Sequence, residues 1–410
     1  MQHLKKILFF TQVFLLAIVS VYAQKAQYKA LPLYSSRHEI LLSGLIPTSQ
    51  DKEPSVIIAA NQHLALKNPS GEKDIPLSDN FYSIIPSRSD HYFAVIDLIP
   101  LQKSLRSDKQ IRLTVYSAEG SRLYTIEFEK RYDDPMPVIG ISDGDGAAVI
   151  GQSALGKLTF YNSQGQIEQE VDLFPDAGYD LERHLQFEFA QNGNRLAVLA
   201  GKRGVSPLDS DAPNPSAEPY LFLFDEYGQE IRRQSIPETA PHNMAVSPDG
   251  NTIFVAGYTA SGNGQIRKNT RLLQADGKTV TVFPLLFRSA DFSAQSGRAV
   301  LADRSSVYQI NTSSGKMINE KSFSPDQGII TAARWDQKGI NIFLLFAQSR
   351  LNDAGFIFTK PIVRIIDPGG REVQTLSFPD ETFTEPSLRV RDDKVMVGFS
   401  HHLYRLEVQQ

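Results

Sequence analysis

The sequence predicts an all-β protein assembled from one repeated four-stranded unit, and three observations carry that prediction. Short turns bearing Gly recur, each followed by a run rich in Val, Ile, Leu and Phe: AQNGNRLAVLAG (190–201), SPDGNTIFVAGY (247–258), AQSGRAVLADR (294–304) and DQKGINIFLLF (336–346). A second family of turns interleaves with the first and reads strand–turn–strand, with Gly at 71, 120, 165, 228, 277, 315 and 370. No long segment with a 3.6-residue apolar period interrupts them.

The N-terminal element comes first. Lys5 and Lys6 form a positive region, Ile7 to Val21 is almost wholly apolar, and Val21-Tyr22-Ala23 puts small residues at a signal-peptidase site. The apolar run is shorter than the ~20 residues a spanning helix needs. Residues 1–23 are therefore expected to be a cleaved export signal and 24–410 a single domain, placed in the periplasm or outside the cell, with no membrane span after cleavage. Cysteine is absent, which excludes disulfides, thiolate metal sites, cysteine nucleophiles and the lipid-bearing Cys of a lipoprotein.

After the leader, YKALPLYS reads as a lone strand and HEILLSG as the first strand of the first repeat. Within each repeat the strands are lettered a to d. The first turn family joins a to b (SDGDGAAVIG at 142–151 also fits), and the second joins c to d. Asn, Asp or Ser opens most c–d turns, because those side chains hydrogen-bond their own backbone while Gly takes φ > 0 without a clash. Four strands recurring roughly every 40–55 residues make a β-propeller blade. Seven units are complete. An eighth, PSLRVRDDKVMVGFSHHLYRLEVQQ, supplies a, b and c but no d. The lone N-terminal strand fills that place, closing the ring and leaving no raw edge. The expectation is a single propeller of eight four-stranded antiparallel blades, with seven the alternative because the first a–b loop (Leu45–Pro54) is long and irregular.

With these repeats on view, the chain resembles secreted bacterial propellers. SPDGNTIFVAGY is similar to the repeats of WD-repeat-like, TolB-like and surface propellers, and VYQINTSSGKMINEKSF to those of the quinoprotein-like superfamily. The resemblance implies an architecture and no activity. A quinoprotein dehydrogenase would imply pyrroloquinoline quinone and Ca²⁺, and its repeats carry a Trp in each d strand. Here the sole tryptophan, Trp335, falls in an a strand. No cofactor is expected.

The sharper chemical readings fail on spacing. Asp143 and Asp145 alternate as in a calcium loop, but no closing Glu follows, and an a–b turn accounts for them. No His pair has zinc-enzyme spacing; His401-His402 falls in a b–c turn, and His184 and His242 precede a strands without a third ligand. No metal site is expected. GxSxG is absent, so no serine elbow is expected. The net charge is −4 and no Lys/Arg cluster occurs, against a nucleic-acid partner.

Function is then expected where loops are long on a rigid scaffold. The a–b and c–d turns share one rim. The b–c and d–a connections share the other, and hold Leu98–Gln110, Phe174–His184, Lys202–Pro219, Thr259–Asn269 and Gln348–Lys360. Candidate ligand-contacting residues on this second rim are Asp180, Arg183, His184, Lys202, Arg203, His242, Tyr258, Arg267 and Arg350. Arg and Tyr are enriched at contact hot spots. The expected function is a monomeric, non-catalytic binding or scaffolding module for a protein, peptide or glycan. The alternative is a hydrolase or lyase acting on a carbohydrate or lactone at the channel mouth, which requires carboxylates or histidines gathered about the axis with shifted pKa values.

Overall fold

Eight antiparallel sheets of four strands are formed by the described residues, in a computed structural model that covers 27–35, 40–46, 55–60, 63–68, 71–101, 108–202, 219–237, 240–260, 265–293, 297–352, 355–383, 387–391 and 394–409. Seven sheets run a-b-c-d in chain order, over residues 40–76, 81–130, 138–172, 183–235, 240–283, 289–322 and 329–377. The eighth takes a, b and c from Ser387–Arg391, Lys394–Gly398 and His402–Gln409, and its d strand is Gln27–Ser35 from the other end of the chain. That strand pairs antiparallel with His402–Gln409 from Gln27↔Gln409 to Ser35↔His402. The expected export signal, residues 47–54 of the first a–b loop and residues 203–218 lie outside the described residues.

Residue type follows each strand's place in its sheet. Central strands are covered on both faces by neighbouring sheets, so Leu196–Ala200 and Ile342–Ala347 are buried without alternation. Outer strands are polar: Glu230–Ser235 is exposed at nearly every position, as an edge that must not recruit another chain should be. Neighbouring sheets bury shared apolar clusters. Leu158 and Phe160 of the third meet Leu185, Val198, Phe222 and Phe224 of the fourth, for example. The last sheet meets the first through Ala65, Met396 and Leu403, and Ile40 N–H donates to Ser400 O at 2.6 Å. Each such side chain, once buried, contributes about 1.5–3 kcal/mol.

The two turn families behave as their residues demand. In Ser247–Thr252, Ser247 Oγ accepts the Thr252 N–H at 2.9 Å and donates to Asp249 Oδ1 at 2.5 Å. Asp249 in turn accepts the Asn251 N–H at 3.0 Å. Gly250 stands at φ +71°, with Arg195 Cδ only 2.8 Å from where a Cβ would sit. Across the c–d turns an Asx residue caps its own chain: Asp225 Oδ1 accepts from Tyr227 and Gln229 N–H at 3.0 and 2.8 Å, and Asn162 Oδ1 from Gln164 and Gln166 at 3.0 and 3.1 Å. This rim is bonded into itself.

The other rim departs from expectation in three places: Leu98–Gln110 begins and ends in strand, with Pro100 paired to Lys109, and two further segments depart more fully. Thr259–Asn269 and Gln348–Lys360 are largely strand. The b and c strands of the fifth and seventh sheets pair out to Ala260↔Ile266 and Asn352↔Gly355. Their d strands stop at Thr270↔Phe283 and Ile362↔Ser377, so two-stranded ribbons continue beyond the sheets. The seventh-sheet ribbon is braced at its base, where Phe358 and Phe383 exchange backbone hydrogen bonds of 2.8 and 2.9 Å.

Candidate functional site

An innermost strand has one edge with no neighbour in its own sheet, so its N–H and C=O groups need partners from elsewhere. Side chains of the preceding sheet supply many of them. Asp291 Oδ2 accepts the Trp335 N–H at 2.8 Å, Ser289 Oγ accepts the Ala333 N–H at 3.0 Å, and Glu188 accepts the Val246 N–H. Gln186 donates to Asn243 Oδ1 at 3.0 Å, and Asn243 Nδ2 donates to Arg288 O at 3.2 Å. These bonds stitch the a strands together around a central channel.

Two cavities of about 390 Å³ each occupy the channel. Glu188, Arg334 and Arg389 line both and mark its waist. Towards the a–b rim the wall adds Arg88, Asp90, Asp291, Asp336 and Arg391, so the charges there balance. Towards the b–c/d–a rim the added charge is Arg288 alone, among Asn243, Ser289, Thr331 and Ser387. The two mouths therefore differ in net charge, one balanced and the other positive.

Burial tunes the waist. Glu188 is pushed above the usual carboxylate range by desolvation, against the pull of Arg88, whose Nη1 lies 3.3 Å away, and of the Val246 N–H. Asp291 is raised by desolvation too, opposed by Arg334 and the Trp335 N–H. Arg334 is lowered by desolvation, with Arg389 and Arg88 adding to the effect. Its Nη1 donates to Ala333 O at 2.7 Å and Ser289 Oγ at 3.0 Å. Glu188 is thus paired with Arg88, whereas Asp291 is bonded to the Trp335 N–H and meets Arg334 and Arg88 through their charge alone.

Of the residues singled out from sequence, His242 and Tyr258 come together at the b–c/d–a mouth, their rings 6.1 Å apart and edge to face. Arg288 and Arg304, which the sequence did not flag, join them: desolvation first, then these two cations, hold the His242 imidazole below its ordinary pKa. Arg267 and Arg350 sit exposed on the two ribbons. His184 is exposed on the a strand Arg183–Phe189, and Lys202 ends the b strand beside it. Arg183 is different: it is buried, donating to Ala154 O and Gly178 O at 3.1 Å each and lying 5.0 Å over the Phe174 ring. Asp180 N–H donates to the same Ala154 O at 2.8 Å, so this pair fastens a connection. Arg203 lies outside the described residues. His402, expected in a b–c turn, instead opens the c strand of the eighth sheet and is bonded through Nδ1 to Glu381. Asp143 belongs to an a–b turn, where it accepts Ser87 Oγ–H and the Ser89 N–H.

No protein-family model and no curated protein matches the sequence. Among solved structures the chain is similar to the C-terminal WD40 domain of Sif2, with a TM-score of 0.56 at 10% identity over 93% of this chain and 99% of that one. It is also similar to a eukaryotic initiation factor structure, with a TM-score of 0.50 at 11% identity over 88% and 98%. At such identities the likeness is one of fold: the chain is a β-propeller with WD40-like repeats.

Proposed function

We propose that the chain is an exported, non-catalytic β-propeller, its ring closed by the N-terminal strand, that binds a protein, peptide or glycan partner on its b–c/d–a rim in the periplasm or outside the cell. The observation that carries this reading is the asymmetry of the two rims. One is made of short turns whose polar groups bond to themselves. The other raises two ribbons beyond the sheets, exposing Ile266, Arg267, Arg350 and Leu351, the last at 72%. Exposed apolar side chains flanked by Arg on a braced support suit a contact surface.

The test is affinity capture from envelope extract, comparing the mature protein with Leu351→Asp and with a variant whose seventh-sheet ribbon is shortened to a tight turn. Both changes lie outside the sheets, so the melting temperature should hold while partner recovery falls. Equal recovery by all three proteins would refute the rim assignment. Export is checked by N-terminal sequencing of the secreted protein, expected to begin at Gln24.

A further inference from the structure

We propose that the channel mouth on the b–c/d–a rim binds an anion carrying several carboxylate groups. The proposal rests on the partner-binding reading above and names the chemistry taken at that rim. Three guanidinium groups line this cavity, from Arg288, Arg334 and Arg389, against the single carboxylate of Glu188. The acids that balance the opposite mouth, Asp90, Asp291 and Asp336, do not line it.

These guanidiniums hold donors in reserve. Arg334 spends only Nη1 on the protein, leaving Nε and Nη2 without a hydrogen bond among the described residues. Arg389 has its nearest carboxylate, Asp90, at 4.0 Å, beyond hydrogen-bonding distance. The Arg288 guanidinium has no bonded partner among the described residues, and it loses solvation at the mouth while Arg304 adds a like charge. The Ser387 hydroxyl on the same wall is buried with no partner. A group of unspent donors converging on one cavity mouth is stabilised by an acceptor-only ligand, and carboxylates match the guanidinium fork.

Spacing favours several carboxylates over one compact anion. Ser289 is level with Ala333 through their hydrogen bond, so Arg288 stands about two residues nearer the rim than Arg334, roughly 7 Å along the axis. Phosphate concentrates its charge at one centre, whereas these guanidiniums are set on the wall at different heights. Two or three carboxylates on one ligand can each meet a different Arg.

The experiment is calorimetric titration of the mature protein at low salt with citrate, with a hexaglutamate peptide and with inorganic phosphate. Citrate or the peptide should bind, and phosphate should bind at least about tenfold more weakly. Arg288→Gln and Arg334→Gln should each weaken binding by about tenfold or more, and Arg350→Gln on the ribbon should not. Arg288→Gln changes an exposed side chain, so it reports even if Arg334→Gln fails to fold. Tighter binding of citrate identifies a free polycarboxylic acid as the source, and tighter binding of the peptide an acidic partner segment. Phosphate binding as tightly as both, no binding of either carboxylate, or binding indifferent to Arg288→Gln would overturn the proposal. Carboxylate binding that persists while rim variants capture partner normally would overturn the rim reading alone.

Discussion

Gln374 holds the backbone of Tyr28 with both ends of its amide. Its Oε1 accepts the Tyr28 N–H at 2.7 Å and its Nε2 donates to the Tyr28 carbonyl at 2.7 Å. Gln374 belongs to the outer strand of the seventh sheet and Tyr28 to the strand that completes the eighth, so one side chain bonds two sheets. The Tyr28 ring adds an edge-on contact with Phe343 at 5.2 Å. Gln374→Ala leaves both groups without this partner in a partly buried seam and is expected to lose about 1–3 kcal/mol. Urea denaturation followed by circular dichroism measures it; an unchanged midpoint would show that water replaces the amide at no cost.

Gly250 offers a test of turn chemistry. Its φ of +71° disfavours any Cβ, and an added one would press on the aliphatic part of Arg195, whose Nη1 donates to Gly250 O at 3.1 Å. Gly250→Ala should destabilise by about 1–2 kcal/mol from the backbone alone. Gly250→Asn should lose less, since Asn tolerates this region through local hydrogen bonds. Equal thermal shifts for the two variants would point to the contact with Arg195 as the dominant effect.

His242 sets a pH dependence with a definite sign. Its pKa is lowered in the folded protein by desolvation and by Arg288 and Arg304, so the unfolded chain takes up the proton first as pH falls. Stability present above the ordinary histidine pKa of about 6.5 is therefore lost on acidification below it. Comparing wild type with His242→Gln by thermal melts from pH 8 to pH 5.5, the wild type should lose more. Parallel curves would remove His242 as the cause.

Glu188 runs the other way. Desolvation raises its pKa above the unfolded value, so its ionised form is the less favoured one in the folded channel. Its contribution is unfavourable at neutral pH and is relieved as pH falls through the folded value towards about 4.3. Glu188→Gln keeps the shape and an acceptor for the Val246 N–H. Its stability relative to wild type should be highest near pH 8 and decline towards pH 4. A variant most disadvantaged at pH 8 would show that the ion pair with Arg88 outweighs desolvation.

The blade pattern was open to sequence reading because it is local. Gly250 in Ser-Pro-Asp-Gly and Gly228 behind Asp225 need only their own turn to adopt φ > 0, and the apolar b strands between such turns follow the two-residue and continuous-burial rules directly. The eighth blade was legible because a missing strand at one end had a spare at the other. The ribbons were not. Thr259 and residues 348–351 leave the apolar sheet with no buried position among them, so they read as loop. The channel was hidden for a different reason: Arg88, Glu188, Arg334 and Arg389 each look like an ordinary polar strand or turn residue, and only the convergence of distant repeats sets them side by side. Arg183 shows the converse error, since residue type marked a contact and burial made it a fastener.

The pairing of Gln27 with Gln409 places two residues from opposite ends of the chain directly across a ladder. During synthesis the strand Gln27–Ser35 emerges early yet has no strand to pair with until His402–Gln409 has been made. Joining these ends with a short linker and opening the chain at another blade boundary would give the same strands the same neighbours, in a protein whose final sheet is assembled from consecutive residues and no longer waits for its beginning.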